Sequence, residues 1–194
     1  MNLEKCYAET TGKGTHHTAP TGRHLQSEIT EDVTALVGNC IVRWSYLEQG
    51  IDEVIWAFLK LDVEDGRIVT AHLDARHKMI LFRQLGHRHL PESRFGEFAT
   101  VLGRLEDLYE LRNLMAHGIW VTLVPRNTAA VMSFREKLPD DTPRNEIITT
   151  EMTIESLTVT ITNMDIIANY LVDLRKTVAT LRSDPNDNSD FFRQ

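Results

Sequence analysis

Eight apolar residues early in this chain recur at alternating steps of four and three: Val33, Val37, Cys40, Trp44, Leu47, Ile51, Val54 and Phe58. Only a helix gathers such positions onto one side, because each residue advances about 100° and steps of three or four return to the same face. No proline interrupts the run. A helix this long with one continuous apolar stripe needs other elements along its length to bury it. Thr30 stands where an N-cap belongs, followed by Glu31 and Asp32, which suit the positive end of a helix. The pattern predicts a first helix over residues 31–60.

The polar stretch at residues 62–66 (DVEDG) reads as a turn. A second helix is expected over residues 69–85, carrying Leu73, Ile80, Leu81 and Leu85 and stopped by Gly86. After Pro91, Ser93 can cap a third helix with Phe95, Phe98, Leu102, Leu105 and Tyr109 on one stripe, ending at Gly118. The period then changes. Residues 119–124 and 129–134 are β-prone runs separated by Pro125-Arg126-Asn127-Thr128. Residues 138–144, with Pro139 and Pro143, read as a loop, and residues 147–152 as a candidate third strand. Leu157-Thr158-Val159-Thr160-Ile161-Thr162 alternates like a strand, yet Leu157, Ile161, Met164, Ala168, Leu171, Leu174, Val178 and Leu181 form one helical stripe. The longer pattern decides for a helix capped by Thr153. The fold expected is therefore mainly α: a four-helix bundle around one core. A small two- to three-stranded antiparallel β insertion, about residues 119–152, lies between helices 3 and 4.

On this reading residues 29–182 form the helical domain, between a flexible N-terminal arm at 1–28 and a flexible C-terminal tail at 183–194. Within the arm, Thr11-Gly12-Lys13-Gly14-Thr15 only faintly resembles a phosphate loop: Gly14 stands where a Ser or Thr must follow the lysine, and no strand precedes it. Hydrophobic residues at 42% and charged residues at 25% exclude wholesale disorder. No apolar run approaches the roughly 18–20 residues of a membrane span, and the N-terminus lacks the apolar stretch of a secretory signal. Cys6 and Cys40 are too few for a disulfide scaffold or a cysteine-based zinc site. These features predict a soluble, cytoplasmic chain with no membrane association.

The stretch that can carry chemistry is Leu111-Arg112-Asn113-Leu114-Met115-Ala116-His117-Gly118. Extending the third helix's stripe beyond Tyr109 reaches Arg112 and then Ala116, so a guanidinium falls on the face meant for the core or a partner. Burying it there calls for a carboxylate or phosphate. Asn113 and His117, four apart, share a face, and the Arg stem is long enough to bring its head toward the imidazole.

These residues resemble the defining motif of the HEPN superfamily: Arg, a polar residue that is often Asn, a short spacer, then His near the end of a helix in an α-helical bundle. Here the motif reads Arg112-Asn113-Leu114-Met115-Ala116-His117, and the architecture resembles the family's over roughly residues 30–182. The resemblance implies a metal-independent endoribonuclease of toxin–antitoxin or phage-defence systems. Its motif residues Arg112, Asn113 and His117 would be catalytic. It also implies a homodimer in which two motifs line one cleft, with RNA as substrate and an antitoxin or defence protein as a possible partner. Some members have lost catalysis and serve as dimerisation or RNA- or nucleotide-binding modules, which is the alternative reading. In nucleotidyltransferase-paired HEPN toxins a tyrosine two positions after the histidine accepts AMP. Ile119 stands at that position here, which puts an antitoxin of that class in doubt.

The residue chemistry suits such a reaction. When a 2′-hydroxyl attacks the adjacent phosphate, protons must move near pH 7 and charge must be stabilised on the pentavalent phosphorane. Histidine titrates in that range, and arginine presents a planar fork to phosphate oxygens. A structural reading stays open beside it. Ala116-His117-Gly118 is also a good helix stop, with glycine at C′ and histidine near the negative helix end, and Arg112 can pair with Glu48. Glu48 lies between Ile41 and Ile55 and is either a supporting residue that meets Arg112 or a carboxylate reaching water. Tyr109 either lines the site or packs, and Trp44 reads as core. The formal charge of −7 argues against a protein that coats nucleic acid. Residues 67–117 nevertheless carry eight Lys/Arg against six Asp/Glu, with five of the eight histidines. His72, His77, His87 and His89 have no carboxylate or cysteine at ligand spacing, so no metal or cofactor is expected.

Overall fold

The computed structural model describes residues 29–123, 128–135 and 146–181. They form α1 (Glu31–Leu59), α2 (Val63–Thr70), α3 (Ala75–His89), α4 (Glu92–His117), β1 (Ile119–Leu123), β2 (Thr128–Arg135), β3 (Glu146–Met152) and α5 (Ile154–Leu181). The N-terminal arm with Thr11 to Thr15 and His16-His17, the residues 125–127 of the expected turn, the 138–144 loop and the C-terminal tail lie outside the described residues. The chain is mainly helical with a small three-stranded antiparallel sheet, as expected. Two expectations are corrected: the described residues hold five helices rather than four, and the strands follow the fourth helix rather than the third.

The additional helix is α2, and the residues that read as a turn are its cap and first turn. The Asp62 carboxylate accepts from the backbone N–H groups of Glu64 and Asp65, both at 2.9 Å. Gly66 lies inside this helix and serves as a notch, since a Cβ there would collide with the Trp56 indole. That indole donates to Thr70 Oγ1 at 3.2 Å, and the Thr70 hydroxyl donates to the Gly66 carbonyl at 3.1 Å. The same misreading shifts α3. It starts after Asp74, whose carboxylate accepts from His77 N–H at 2.9 Å, and continues past Gly86 to His89. Gly86 lets the Phe98 ring approach the helix backbone, and Phe98 in turn packs on Phe82 with centroids 5.0 Å apart.

The long stripes are buried for most of their length, with Val37 half-buried in α1 and Leu181 exposed at the end of α5. Along α1, Val33, Cys40, Trp44, Leu47, Ile51, Val54 and Phe58 are all buried. Thr30 Oγ1 accepts from Val33 N–H at 3.4 Å. At the other end Lys60 adopts φ 57°, with Lys60 N–H donating to the Ala57 carbonyl at 3.3 Å and Leu61 N–H to that of Trp56 at 3.0 Å. This is a Schellman C-cap whose left-handed position holds lysine. Thr153 and Ser156 cap α5 reciprocally, each side-chain oxygen accepting from the other's backbone N–H at 3.0 Å.

The expected single core resolves into two compact units. Residues 43–109 with 164–181 form one, and residues 29–42 with the described part of 110–163 form the other. In the first, α1 is tied to α5 by the Arg43–Asp165 and Glu53–Arg175 ion pairs, and Leu171 packs against Gly50. Trp44, Phe58, Phe82, Phe98, Leu105 and Met164 are among its fully buried side chains. In the second, the sheet order is β1-β2-β3, with Val121 opposite Ala130 and Ala130 opposite Glu151. Ala129, Ala130 and Val131 are consecutive and all buried, so the central strand β2 is covered on both faces. Among the described residues no helix is long and apolar enough to cross a membrane.

Candidate functional site

The last two turns of α4 carry the motif. The buried row of this helix runs through Leu105, Leu108, Arg112 and Met115, so Arg112 does lie in line with core residues. The row then passes to Met115 rather than to Ala116, which is exposed. Arg112 is half-buried. Its Nη1 donates to Asn113 Oδ1 at 2.9 Å, and its Nε is buried without an acceptor. Among the described residues Asn113 is the only hydrogen-bond partner of this head, and no carboxylate pairs with it. An unpaired buried donor is costly, and a guanidinium with open donors is a ready contact for an anion such as a phosphate.

His117 closes α4. It is exposed and has no hydrogen-bond partner among the described residues. Spaced by four along one helix, Asn113 and His117 share a face. The helix end around His117 is tightly made. Gly118 N–H donates to the Leu114 carbonyl at 2.8 Å, and the Trp120 indole N–H donates to the Met115 carbonyl at 3.0 Å. The helix ends at Gly118 as the sequence predicts, and it does so without a left-handed φ at that residue. What it supplies is room, because a Cβ there would overlap the Val131 side chain and the Leu114 carbonyl. Strand β2 thus crosses directly over the end of the motif helix.

Glu48 and Tyr109 belong to the other unit. The Glu48 carboxylate accepts from Lys78 Nζ at 3.1 Å, so its partner is a lysine of α3. The same Nζ donates to Asp52 Oδ2 at 2.8 Å, and both Lys78 and Asp52 are buried. Asp52 Oδ1 has no hydrogen-bond partner among the described residues. Burial raises the Asp52 carboxyl above its ordinary value, and the hydrogen bond from Lys78 only partly offsets this. For Lys78, burial opposes the charge, but the bonds to Asp52 and Glu48 outweigh it and raise the ammonium above its usual value. Tyr109 packs on Trp44 with ring centroids 5.8 Å apart. Lys78 and Asp52 escaped the sequence reading because nothing marks a lysine in a polar helix as buried before its neighbours are known.

Several of the other histidines and cations have partners of their own. His77 Nδ1 lies 2.8 Å from Asp74, and the exposed Asp74 carboxyl is held below its ordinary value, chiefly by the His77 backbone N–H. His87 packs on Phe95 at 4.2 Å and His89 on Phe58 at 5.9 Å. Arg83 pairs with Glu106 and Arg94 with Glu97. Part of the positive balance of residues 67–117 is therefore engaged with carboxylates, through Lys78, Arg83 and Arg94. Comparison with known proteins finds no family model, no curated protein and no solved structure that matches this chain.

Proposed function

We propose that this chain is a cytoplasmic, metal-independent endoribonuclease of HEPN type, acting in toxin–antitoxin or phage-defence biology as a homodimer. The 2′-hydroxyl of the RNA gives up its proton and attacks the adjacent phosphate, the P–O5′ bond breaks, and the departing 5′-oxygen takes up a proton, leaving a 2′,3′-cyclic phosphate and a 5′-hydroxyl. Arg112 stabilises the charge on the phosphorane, Asn113 fixes the guanidinium, and His117 transfers protons. One observation carries the reading: Arg112 lies on a buried helix row, is held by Asn113 and has no carboxylate partner among the described residues. A purely structural arginine on that row would be expected to sit on an acidic side chain. His117 is solvent-accessible at the end of the same helix, as a group that must meet substrate has to be. A single Arg/His set is thin for both acid and base roles, which is why a second copy of the motif belongs to the proposal.

The test is incubation of RNA and DNA with the purified chain in EDTA. RNA fragments ending in 2′,3′-cyclic phosphate and intact DNA are expected, since DNA lacks the nucleophile. Fragments with 3′-hydroxyl ends, or loss of cleavage on chelation, would overturn this chemistry. Light scattering is expected to give a dimer at micromolar concentration. The alternative, a non-catalytic HEPN-like module for dimerisation or RNA or nucleotide binding, is favoured by Ile119. That residue stands two positions beyond His117, where the AMP-accepting tyrosine of the catalytic toxins is missing, and it is 50% exposed. Dimerisation or RNA binding without cleavage of any RNA would select that reading.

A further inference from the structure

The last four carbonyls of a helix have no backbone donor within it. In a continuing helix the Met115 carbonyl would receive the N–H of Ile119, but Ile119 has already entered β1. The Trp120 indole replaces that donor, at 3.0 Å. Trp120 is itself fixed by the sheet, paired with Val131 in the antiparallel register of β1 and β2. Val131 is fully buried, and it is the residue whose side chain lies against Gly118. Sheet and indole therefore grip the turn that bears His117, while Arg112 and Asn113 sit on the preceding turn and are joined to each other.

We infer that Trp120 is a positioning residue: its indole N–H holds the last turn of α4, and with it His117, in register with Arg112 and Asn113. The inference rests on the ribonuclease reading above. Physically, the indole bond removes the fraying that a helix end otherwise has. A proton-transfer group on a frayed turn would be misplaced by about 1 Å or more, enough to cost on the order of 10²-fold in rate. The contact acts on geometry and not on affinity, since Trp120 reaches a backbone carbonyl rather than the anion site.

Trp120→Phe keeps a ring on β1 and removes only the donor. In the full chain it is expected to lower kcat for RNA by about tenfold to 10²-fold, with KM within twofold and the melting temperature within a few degrees of wild type. Amide exchange at Ala116, His117 and Gly118 is expected to quicken, while that of Leu105 and Leu108 stays unchanged. In a His117→Ala background the same change should produce no further loss, because the residue it positions is gone. A purely structural role predicts the opposite: equal losses in both backgrounds, with a lowered melting temperature. An unchanged kcat beside an active wild type overturns the positioning role, as does an equal loss in the two backgrounds. A wild type that cleaves no RNA removes the ribonuclease reading itself, a result distinct from either. Exchange of the Trp120 indole proton in the unaltered chain is read without any variant. Protection is expected, and exchange at the rate of a free indole overturns the inference.

Discussion

Arg112 donates through Nη1 to Oδ1 of Asn113, the next residue along the same helix, at 2.9 Å. Consecutive helical residues point about 100° apart and do not ordinarily face one another, so the arginine stem bends around the helix to make this bond. A neutral amide is suited to the task. It orients the guanidinium while leaving its charge available to an anion. Asn113→Asp places a carboxylate at the same point and turns the bond into an ion pair. The variant is expected to fold with unchanged or slightly raised stability, since a part-exposed pair contributes about 0–1 kcal/mol. RNA affinity should fall because the carboxylate competes with phosphate for Arg112. Filter binding and thermal melting, done together, check this. Unchanged affinity would show that Arg112 does not meet the phosphate.

His117→Ala separates chemistry from folding. The imidazole is exposed and has no partner among the described residues, so its removal costs at most about 1 kcal/mol through the helix-end dipole. The cleavage rate is expected to drop by roughly 10²–10⁴, the contribution of a general acid–base group. Arg112→Lys should not restore full activity where Arg112→Ala abolishes it, because an ammonium lacks the planar fork. Rates measured beside melting curves for the three variants decide the matter. A folded His117→Ala that cleaves as wild type would remove His117 from the mechanism.

The stripes of α1, α4 and α5 were legible because each is long, and one period then accounts for many residues at once. The boundaries of α2 and α3 were not, and the cause is glycine. The segment ending at Gly66 reads as a turn and Gly86 as a stop, because glycine lacks a side chain to favour a helix. In the structure that same lack makes room for Trp56 and Phe98, a fact that depends on residues distant in sequence. The site divides in the same way. Arg112 on the buried row followed from the spacing of Phe98, Leu102 and Leu105. The Lys78 partner of Glu48 and the Trp120 bond to the Met115 carbonyl are tertiary contacts that no local pattern announces.

Lys60 offers a test of the helix boundary that the first stripe predicts. Its φ of 57° is the left-handed conformation, which costs an L side chain about 1–2 kcal/mol and glycine almost nothing. Both Schellman hydrogen bonds are made by backbone N–H groups, so they survive replacement of the side chain. Lys60→Gly therefore keeps the cap and relieves the strain, at the cost of a more flexible unfolded chain. A net gain of up to about 1 kcal/mol is expected in urea denaturation. A loss of 1 kcal/mol or more would show that the lysine side chain contributes a contact outweighing the strain.

The buried cluster of Lys78, Asp52 and Glu48 makes a pH-dependent prediction. One ammonium serves two carboxylates, so Lys78→Met leaves two negative charges facing each other with no cation between them. Breaking a buried pair in this way costs about 3–5 kcal/mol at neutral pH. The direction with pH follows from Asp52, whose carboxyl in the folded protein already lies above its ordinary value because of burial. A group raised on folding binds its proton more readily in the folded chain than in the unfolded one. Its contribution to stability is complete below the unfolded value and is lost as pH rises through the folded value. Removing Lys78 takes away the hydrogen bond that draws the Asp52 value down, so the raised value climbs further and the window widens upward. The destabilisation of Lys78→Met relative to wild type should therefore be largest at pH 7 and shrink steadily toward pH 5, as Asp52 takes up a proton in the variant. Urea denaturation of both proteins across that range measures it. A penalty independent of pH would mean that the cost comes from the way methionine packs in place of the lysine and not from the carboxylates that lysine serves.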